Sequence, residues 1–285
     1  MTATTLQDAL WLTEQDVAAL LDLSEAIAAL ESALREEARG EAANMTKTLL
    51  QFAAPGQARA TSNLHAIGAK LGHLVGTKTW AHTEGGTSPL LLLWDAANGS
   101  LVAVIEAFAL GNMRTGGISG VATDWLARSD ADVLGLIGTG KQALSQVAAV
   151  LAVRPIKRVQ VYSPRAESRA AFAARVRDER GGDAVDVASV EAACAGAPVV
   201  TAVTRSTEPF LRAAMLERGT HLNAVGAIAK DREEFTQDVF DRTSTVAVDN
   251  LPGVQQLSRE FITRFDTRGW DDVLPLSRVI ARGRR

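Results

Sequence analysis

A glycine-rich turn between an apolar strand and a helix is the feature that most constrains this chain. The apolar run Val133–Ile137 leads into Gly138-Thr139-Gly140-Lys141-Gln142-Ala143, and a helical pattern follows. This is the G-x-G-x-x-A form of the fingerprint that holds the pyrophosphate of a dinucleotide. The first glycine permits the tight turn, the second lets the backbone approach the anion, and the alanine lets helix and strand pack closely. We therefore expect a dinucleotide at this helix N-terminus, with Thr139 and Gln142 among its contacts.

Strands and helices alternate after this turn. The predicted strands are Val159–Tyr162, Val185–Val187, Pro198–Ala202, His221–Val225 and Thr245–Val248, and the predicted helices are Lys141–Val153, Ala166–Arg180, Ala188–Ala195 and Leu211–Glu217. Alternation at this spacing is typical of an α/β fold with a doubly wound parallel sheet, the Rossmann fold.

The first part of the chain has a different pattern. Helix starts are predicted at Thr13 and Ser24. Four strands then follow without helices between them, and an Asn98-Gly99 turn separates the last two. They are Thr46–Phe52, Gly72–Thr79, Pro89–Trp94 and Leu101–Ile105. Consecutive strands of this kind predict an antiparallel or mixed sheet.

Composition and charge exclude several classes of protein. The chain has 285 residues, which at roughly 150 residues per domain suggests about two domains. A net charge of −3 gives no electrostatic reason to expect nucleic acid or an acidic membrane as a partner. The longest apolar runs, such as Leu90–Trp94, fall far short of the ~20 residues that a membrane helix needs. The single cysteine, Cys194, fits a reducing compartment, so we expect a cytoplasmic protein.

The histidines do not have the spacing of metal ligands, and with one cysteine no catalytic metal is expected.

The residues that follow the second strand of the alternating region indicate which dinucleotide binds. The end of this strand carries no Asp or Glu, the residues that bind the ribose of NAD. Ser163, Arg165 and Ser168 follow instead, and they suit a 2′-phosphate. The sequence therefore favours NADP(H) over NAD(H).

Three further motifs, taken together with the glycine-rich turn, resemble those of the ornithine cyclodeaminase/mu-crystallin family. They are Arg114-Thr115-Gly116-Gly117 before a helix, the loop Thr204–Pro209, and His221-Leu222-Asn223-Ala224-Val225-Gly226-Ala227. The resemblance implies a homodimer in which each subunit has a mixed-sheet substrate and dimerisation domain and a Rossmann domain. We therefore assign residues 1–115 to the former and residues 116–269 to the latter, and leave open whether residues 270–285 return to the first domain.

The resemblance also implies roles for individual residues. Arg114 would hold a substrate carboxylate, for which the guanidinium fork is suited. Lys78, in Gly76-Thr77-Lys78, would lie by the reacting carbon–nitrogen bond as proton donor or electrostatic partner. Lys70 is a competing match for this lysine, and Lys47 would be a second carboxylate-binding group.

The motifs that carry the resemblance also imply further cofactor-binding residues. These are Thr115, Val203, Thr204, Val225 and Gly226.

Ile228 departs from the pattern of the cyclodeaminases, which carry an aspartate there as base and partner of the substrate amine. An isoleucine moves no protons, and a positioned general base is worth ~10²–10⁴ in rate. Asp231 stays open as a substitute for the missing aspartate, and Ile228 is expected to line a less polar substrate pocket.

We therefore predict an NADP-dependent oxidoreductase that reduces an imine or interconverts a 2-oxo or imino acid and an amino acid. The alternatives are an ornithine cyclodeaminase-type ammonia lyase with bound NAD, and a non-catalytic NADPH-binding protein resembling mu-crystallin.

Overall fold

The chain divides into two units, Met1–Met113 and Arg114–Arg285. The computed structural model describes residues 9–56, 59 and 61–283. Substrate binding and dimerisation by the first unit and dinucleotide binding by the second stay predictions from the sequence.

The first unit is built on a mixed sheet. Its strands are β1 (Leu10–Leu12), β2 (Ala43–Phe52), β3 (Ser62–Leu71), β4 (Leu74–Thr83), β5 (Gly86–Thr87), β6 (Leu90–Asp95) and β7 (Leu101–Glu106), and its helices are α1 (Glu14–Leu20), α2 (Leu23–Ala38) and the start of α3 (Phe108–Leu126). The strand order is β1-β7-β6-β4-β3-β2, with β5 paired to β4. Only the β1–β7 pair is parallel among these described strands, so the predicted mixed sheet is confirmed.

Strand β3 was not predicted from the sequence. Its ten residues include one β-branched side chain, Ile67, so their intrinsic strand preference is weak. Pairing with β2 on one side and β4 on the other establishes the strand. The sequence placed a strand start at Gly72, but Gly72 lies in the β3–β4 turn with φ +54°. Only glycine adopts this conformation readily, which explains the residue type.

Polar side chains fix the helix starts of the first unit. Thr13 and Asp16 form a capping box at α1, as the sequence predicted. The cap of α2 is Asp22, paired with Glu25, so the predicted cap at Ser24 was two residues late. The carboxylate of Glu14 accepts hydrogen bonds from the first backbone N–H groups of α3, at 2.5 and 2.7 Å.

The second unit contains a five-stranded parallel sheet in the order β10-β9-β8-β11-β12. Its strands are β8 (Val133–Ile137), β9 (Arg158–Tyr162), β10 (Asp183–Asp186), β11 (Val199–Ala202) and β12 (His221–Ala224), followed by the pair β13 (Val246–Val248) and β14 (Val273–Pro275). Its helices after α3 are α4 (Ala143–Val153), α5 (Ala166–Arg180), α6 (Val190–Cys194), α7 (Asp238–Asp241), α8 (Leu251–Leu257), α9 (Arg259–Phe265) and α10 (Leu276–Ala281). The strand order reverses beside β8, which confirms the doubly wound Rossmann sheet.

One predicted helix of the second unit is wrong. Residues 211–217 do not form an α-helix, because the backbone of Leu211 forms a β-bridge with Phe235. A 3₁₀ turn at Ala213–Met215 is the helical part of this segment. The segment beyond residue 269 contains β14, which pairs with β13 of the same unit. Within the described ranges, helices that could span a lipid bilayer are absent.

Candidate functional site

The glycine-rich turn follows β8 and opens α4, as the sequence predicted. Gly138 has φ +111°, and a Cβ there would lie 2.5 Å from the carbonyl oxygen of Val203. The fold itself therefore requires glycine at this position. Ala143 is fully buried, so only a small side chain fits between helix and strand.

Gly140 differs from Gly138 because the fold does not require it. Its φ lies outside the left-handed region, and a Cβ would meet no described atom within 4 Å. Neither the backbone conformation nor the packing requires glycine at position 140, so the absent side chain leaves open space directly beside the backbone. That space suits a ligand that must approach the main chain closely, as a pyrophosphate does at the start of a helix. The turn thus fits the predicted dinucleotide.

The sequence placed Arg114-Thr115-Gly116-Gly117 before a helix, but these residues lie within α3, whose helical turns begin at Phe108. Thr115 contacts α4, the helix that the glycine-rich turn opens. The carbonyl oxygen of Thr115 accepts a 3.1 Å hydrogen bond from Nε2 of Gln146, which is fully buried. A Cβ on Gly116 would lie 2.7 Å from the carbonyl oxygen of Ser145, so α3 and α4 cross at backbone contact. This part of the Arg-Thr-Gly-Gly motif therefore fixes the helix that carries the phosphate loop.

The groups expected at a 2′-phosphate lie between β9 and α5. Arg165 is exposed at the N-cap of α5. Ser163 is buried, and its hydroxyl donates to the carbonyl oxygen of Arg165 at 3.3 Å. Arg169 donates to the carbonyl oxygen of Ser163 at 3.2 Å and lies 3.7 Å from the carboxylate of Asp186. Ser168 is half-buried. Arg165 is the charged residue of the predicted group, and its side chain is the most exposed of the three.

The loops after β11 and β12 meet at the same edge of the sheet. They carry the predicted cofactor residues Val203, Thr204, Val225 and Gly226. A Cβ on Gly226 would lie 2.2 Å from the carbonyl oxygen of Thr204, so the two loops touch at their backbones. Glu234, which the sequence analysis missed, accepts hydrogen bonds from both loops. It follows the charged run from Lys230 to Glu233, which reads as a solvated surface segment.

Arg114 and Ile228 both lie on the second unit. The guanidinium of Arg114 forms a 2.9 Å ion pair with Asp249, and the side chain is half exposed. Ile228 is 69% exposed, and its backbone N–H donates to the carbonyl oxygen of Gly226 in a tight turn. Asp231 is also exposed. Ile228 is one of several large apolar side chains that are exposed in the single chain, and its role in lining a substrate pocket stays a prediction.

On the first unit, two lysines and a histidine gather around Trp80. Strand alternation places Lys78 and Trp80 on one face of β4. His65, directly opposite on β3, stacks on the Trp80 ring with centroids 4.7 Å apart. The ammonium groups of Lys78 and Lys47 lie 5.0 and 5.7 Å from the ring centroid. We call these four residues the Trp80 cluster.

The Trp80 cluster combines positive charge with an aromatic surface. Partial burial lowers the pKa of Lys47. Desolvation, followed by the charges of Lys47 and His82, lowers the pKa of His65, so its imidazole is neutral near pH 7. Ammonium groups over an aromatic ring are held by the charge distribution of the ring. The surface therefore suits a small molecule with one anionic group and an apolar body.

The two candidate lysines of the sequence analysis have different environments. A Cβ on Gly111, in the first turn of α3, would lie 2.6 Å from Nζ of Lys78, so this ammonium sits against the helix backbone. Lys70 is exposed on β3 and donates to the carbonyl oxygen of Glu41 at 3.0 Å. Alternation from Lys78 could have located Trp80, but His65 lies on the strand that the sequence did not predict.

In the part of the chain that the structure describes, no cluster of three His, Cys, Asp or Glu side chains could hold a metal ion.

A buried acid lies behind the loop that follows β12. Glu260, on α9, is 1% exposed and accepts a 2.7 Å hydrogen bond from the backbone N–H of Glu234. Burial raises its pKa from 4.5 to about 7. An acid with a raised pKa contributes stability below its unfolded pKa, and this contribution is lost as pH rises through about 7.

We therefore expect replacement of Glu260 by glutamine to flatten the pH dependence of stability. Between about pH 5 and pH 8 the melting temperature of Glu260→Gln should fall roughly 5 °C less than that of the wild type, at about 2–4 °C per kcal/mol. Thermal melts across this range provide the measurement. His221, whose pKa burial lowers to about 4, affects both proteins equally. The exposed Glu208→Gln is the matched control, and parallel curves for Glu260→Gln and the wild type would contradict the assignment.

Comparison with known proteins gives a consistent picture. The model of the ornithine cyclodeaminase/mu-crystallin family matches residues 7–258. The alanine dehydrogenase of Archaeoglobus fulgidus is 30% identical over 252 residues, covering 86% of this chain and 74% of that enzyme. A Δ1-pyrroline-2-carboxylate reductase of Bacillus cereus is 31% identical over 238 residues, covering 81% and 72%. The structure of Thermococcus litoralis Δ1-pyrroline-2-carboxylate reductase in complex with NADH and L-proline matches with a TM-score of 0.88 and 25% identity, covering 97% of this chain and 88% of that one.

Proposed function

Because this chain belongs to the ornithine cyclodeaminase/mu-crystallin family, we propose that it is an NAD(P)H-dependent oxidoreductase acting on a carbon–nitrogen bond. It reduces a ketimine, or interconverts a 2-oxo or imino acid and an amino acid. The observation that carries the proposal is Gly140, whose backbone faces open space at the start of α4 although the fold does not need glycine there. The relatives named above, a dehydrogenase and reductases of a cyclic imino acid, support the same class of reaction.

The second unit holds the cofactor in this proposal. When bound, a nicotinamide dinucleotide supplies the reducing equivalent. Gly138 and Gly140 shape the turn around its pyrophosphate, and the N-terminus of α4 provides N–H groups and a favourable dipole. We expect Thr139, Gln142 and Thr115 to contact the dinucleotide beside this turn, and the loops that carry Thr204 and Gly226 to hold the remainder of the molecule.

The substrate is a small imine or amino acid that carries a carboxylate. Arg114 binds this carboxylate with two of its guanidinium donors, and Lys47 adds a second positive charge. Lys78 donates the proton that the imine nitrogen takes up during reduction. The Trp80 ring supports the apolar part of the substrate and keeps water from that side of the reacting bond.

The experiment that tests this function follows NADPH absorbance at 340 nm with a panel of cyclic imino acids and 2-oxo acids plus ammonia. Substrate-dependent loss of absorbance is expected. Ammonia release from a diamino acid without net nicotinamide turnover would instead identify a cyclodeaminase. Tight NADPH binding without turnover on the whole panel would identify a non-catalytic binding protein.

The preference for NADP(H) over NAD(H) is part of the proposal. Arg165 is the exposed cation after β9, where the ribose of the adenosine half binds. Replacing Arg165 by alanine should weaken NADPH by roughly 10-fold or more and leave NADH nearly unchanged, since a charge-assisted bond to phosphate contributes about 1.5–3 kcal/mol. Fluorescence titration with each reduced cofactor measures the two dissociation constants. Equal losses for both cofactors would remove the 2′-phosphate assignment.

We further propose a cytoplasmic homodimer. The face of the first-unit sheet opposite the Trp80 cluster carries large apolar side chains that are exposed in the single chain, namely Trp11, Leu50, Leu64, Val75 and Val102. An exposed apolar surface of this kind is typical of an interface. The only cysteine of the chain, Cys194, is buried and unpaired, which is consistent with a reducing compartment.

A further inference from the structure

Glu234 is a fully buried acid whose carboxylate connects two loops of the second unit. Its Oε1 accepts hydrogen bonds from the backbone N–H of Thr204 at 2.6 Å and from the Thr204 hydroxyl at 2.7 Å. Its Oε2 accepts one from the backbone N–H of Gly226 at 2.7 Å. Burial raises the pKa of the Glu234 carboxyl, and the hydrogen bonds from Thr204 and Gly226 oppose this shift because they stabilise the ionised form. Because both carboxylate oxygens accept from backbone N–H groups, we take Glu234 to be ionised in this arrangement.

The two loops lie where a ligand of this fold binds. They follow β11 and β12, which are adjacent and parallel, and the carboxyl ends of such strands form the binding edge of an open α/β sheet. The loops already touch at their backbones, since a Cβ on Gly226 would reach the carbonyl oxygen of Thr204. The carboxylate therefore sets the spacing of the two loops at this edge.

The backbone of Glu234 is itself held in place. Its N–H donates to Oε1 of Glu260, whose Oε2 accepts from the Ser258 hydroxyl at 3.1 Å. Its carbonyl oxygen accepts from the backbone N–H groups of Phe210 and Leu211, at 3.1 and 3.0 Å. An anchored side chain with satisfied acceptors positions its partners precisely. An apolar residue here would leave the backbone N–H groups of Thr204 and Gly226 without their acceptor, so the carboxylate is what holds the two loops together.

We propose that Glu234 is a positioning residue for the nicotinamide half of the bound dinucleotide, and that its negative charge favours the oxidised ring over the reduced one. The inference rests on the proposed function, because it presupposes that a nicotinamide dinucleotide binds. Strands β11 and β12 form the half of the sheet beyond β8 that takes the second nucleotide of a dinucleotide. The oxidised nicotinamide is a cation and the reduced one is neutral, so a fixed anion behind the loops stabilises the former more.

The test uses the full chain with Glu234→Gln and measures dissociation constants for NADP⁺, NADPH and 2′,5′-ADP by calorimetry. The amide keeps the size of the side chain but removes the charge and turns one acceptor into a donor facing N–H groups. We expect NADP⁺ to bind roughly 10-fold more weakly relative to NADPH than in the wild type, which corresponds to about 1.4 kcal/mol. Binding of 2′,5′-ADP should be unchanged, because the adenosine half lies by β8 and β9.

Two further variants complete the test. Glu233→Gln neutralises the neighbouring acid, which pairs with Arg259 at 3.4 Å and accepts no bond from either loop, and should keep the wild-type ratio. Where Glu234→Gln does not fold, Thr204→Val removes the hydroxyl that donates to Glu234 and that accepts from the backbone N–H of Ser206 at 3.1 Å. It should weaken both dinucleotides several-fold and leave 2′,5′-ADP unchanged.

The outcomes separate this inference from the proposed function. Wild-type protein that binds neither dinucleotide contradicts the proposed function. Wild-type protein that binds both, together with a folded Glu234→Gln that keeps the wild-type constants and their ratio, overturns the positioning role. A uniform loss of all three ligands, including 2′,5′-ADP, identifies a purely structural role for Glu234 and overturns the inference as well.

Discussion

Replacing Gly140 by valine should abolish tight dinucleotide binding and leave the melting temperature of the protein unchanged. The backbone of Gly140 is in a conformation open to any L-residue, and a Cβ there meets no described atom within 4 Å. Folding therefore tolerates the side chain. The same side chain occupies the space through which a pyrophosphate approaches the N–H groups of α4. We expect the dissociation constants of both NADPH and NADH to rise by at least roughly 100-fold, or about 3 kcal/mol.

Two comparisons make this result specific. Gly85→Val introduces the same side chain at an exposed turn of the first unit, where a Cβ would lie 3.6 Å from the Thr83 hydroxyl oxygen, and should change neither binding nor stability. Gly138→Val should lower the melting temperature as well as the affinity, since its Cβ meets the Val203 carbonyl oxygen. Tight NADPH binding by a folded Gly140→Val protein would contradict the assignment of the phosphate loop.

The second large effect is expected at Lys78. Removing its ammonium by substitution with methionine should lower kcat/KM for imine reduction by ~10²–10⁴, the usual contribution of a positioned proton donor. Methionine keeps the length and much of the apolar volume of the stem, so the contact with α3 and Trp80 is retained. The dissociation constant for NADPH should be unchanged, because Lys78 has no part in the phosphate loop.

Lys70→Met is the matched control for this experiment. Lys70 lies on the neighbouring strand β3, and its ammonium contacts only the carbonyl oxygen of Glu41 among the bonds described above. Its substitution should change kcat/KM by less than about twofold, as expected of an exposed side chain away from the reaction. A larger loss for Lys70→Met than for Lys78→Met would transfer the catalytic role to Lys70.

The phosphate loop could be predicted from sequence because its parts are contiguous. The positive φ of Gly138 and the start of α4 are set within a few residues of each other, so the motif carries most of its own geometry. The parallel sheet could also be predicted, because each strand and helix of the alternating region is a contiguous stretch with its own periodicity. The failures, at β3 and at residues 211–217, occurred where pairing with another strand or segment overrides weak local preference.

The sequence by itself determined the fold class, the family motifs and the dinucleotide loop, since these depend on local periodicity and on the conformational needs of particular glycines. Only the tertiary structure decided which side chains meet. His65 reaches Trp80 through the β3–β4 register, and a shift of one residue would turn it to the opposite face. Glu234 ends a charged run that looks solvated, yet it is buried because the loops after β11 and β12 close around its carboxylate. Contacts of this kind join residues on different strands and loops, and the sequence pattern of a single element does not encode them.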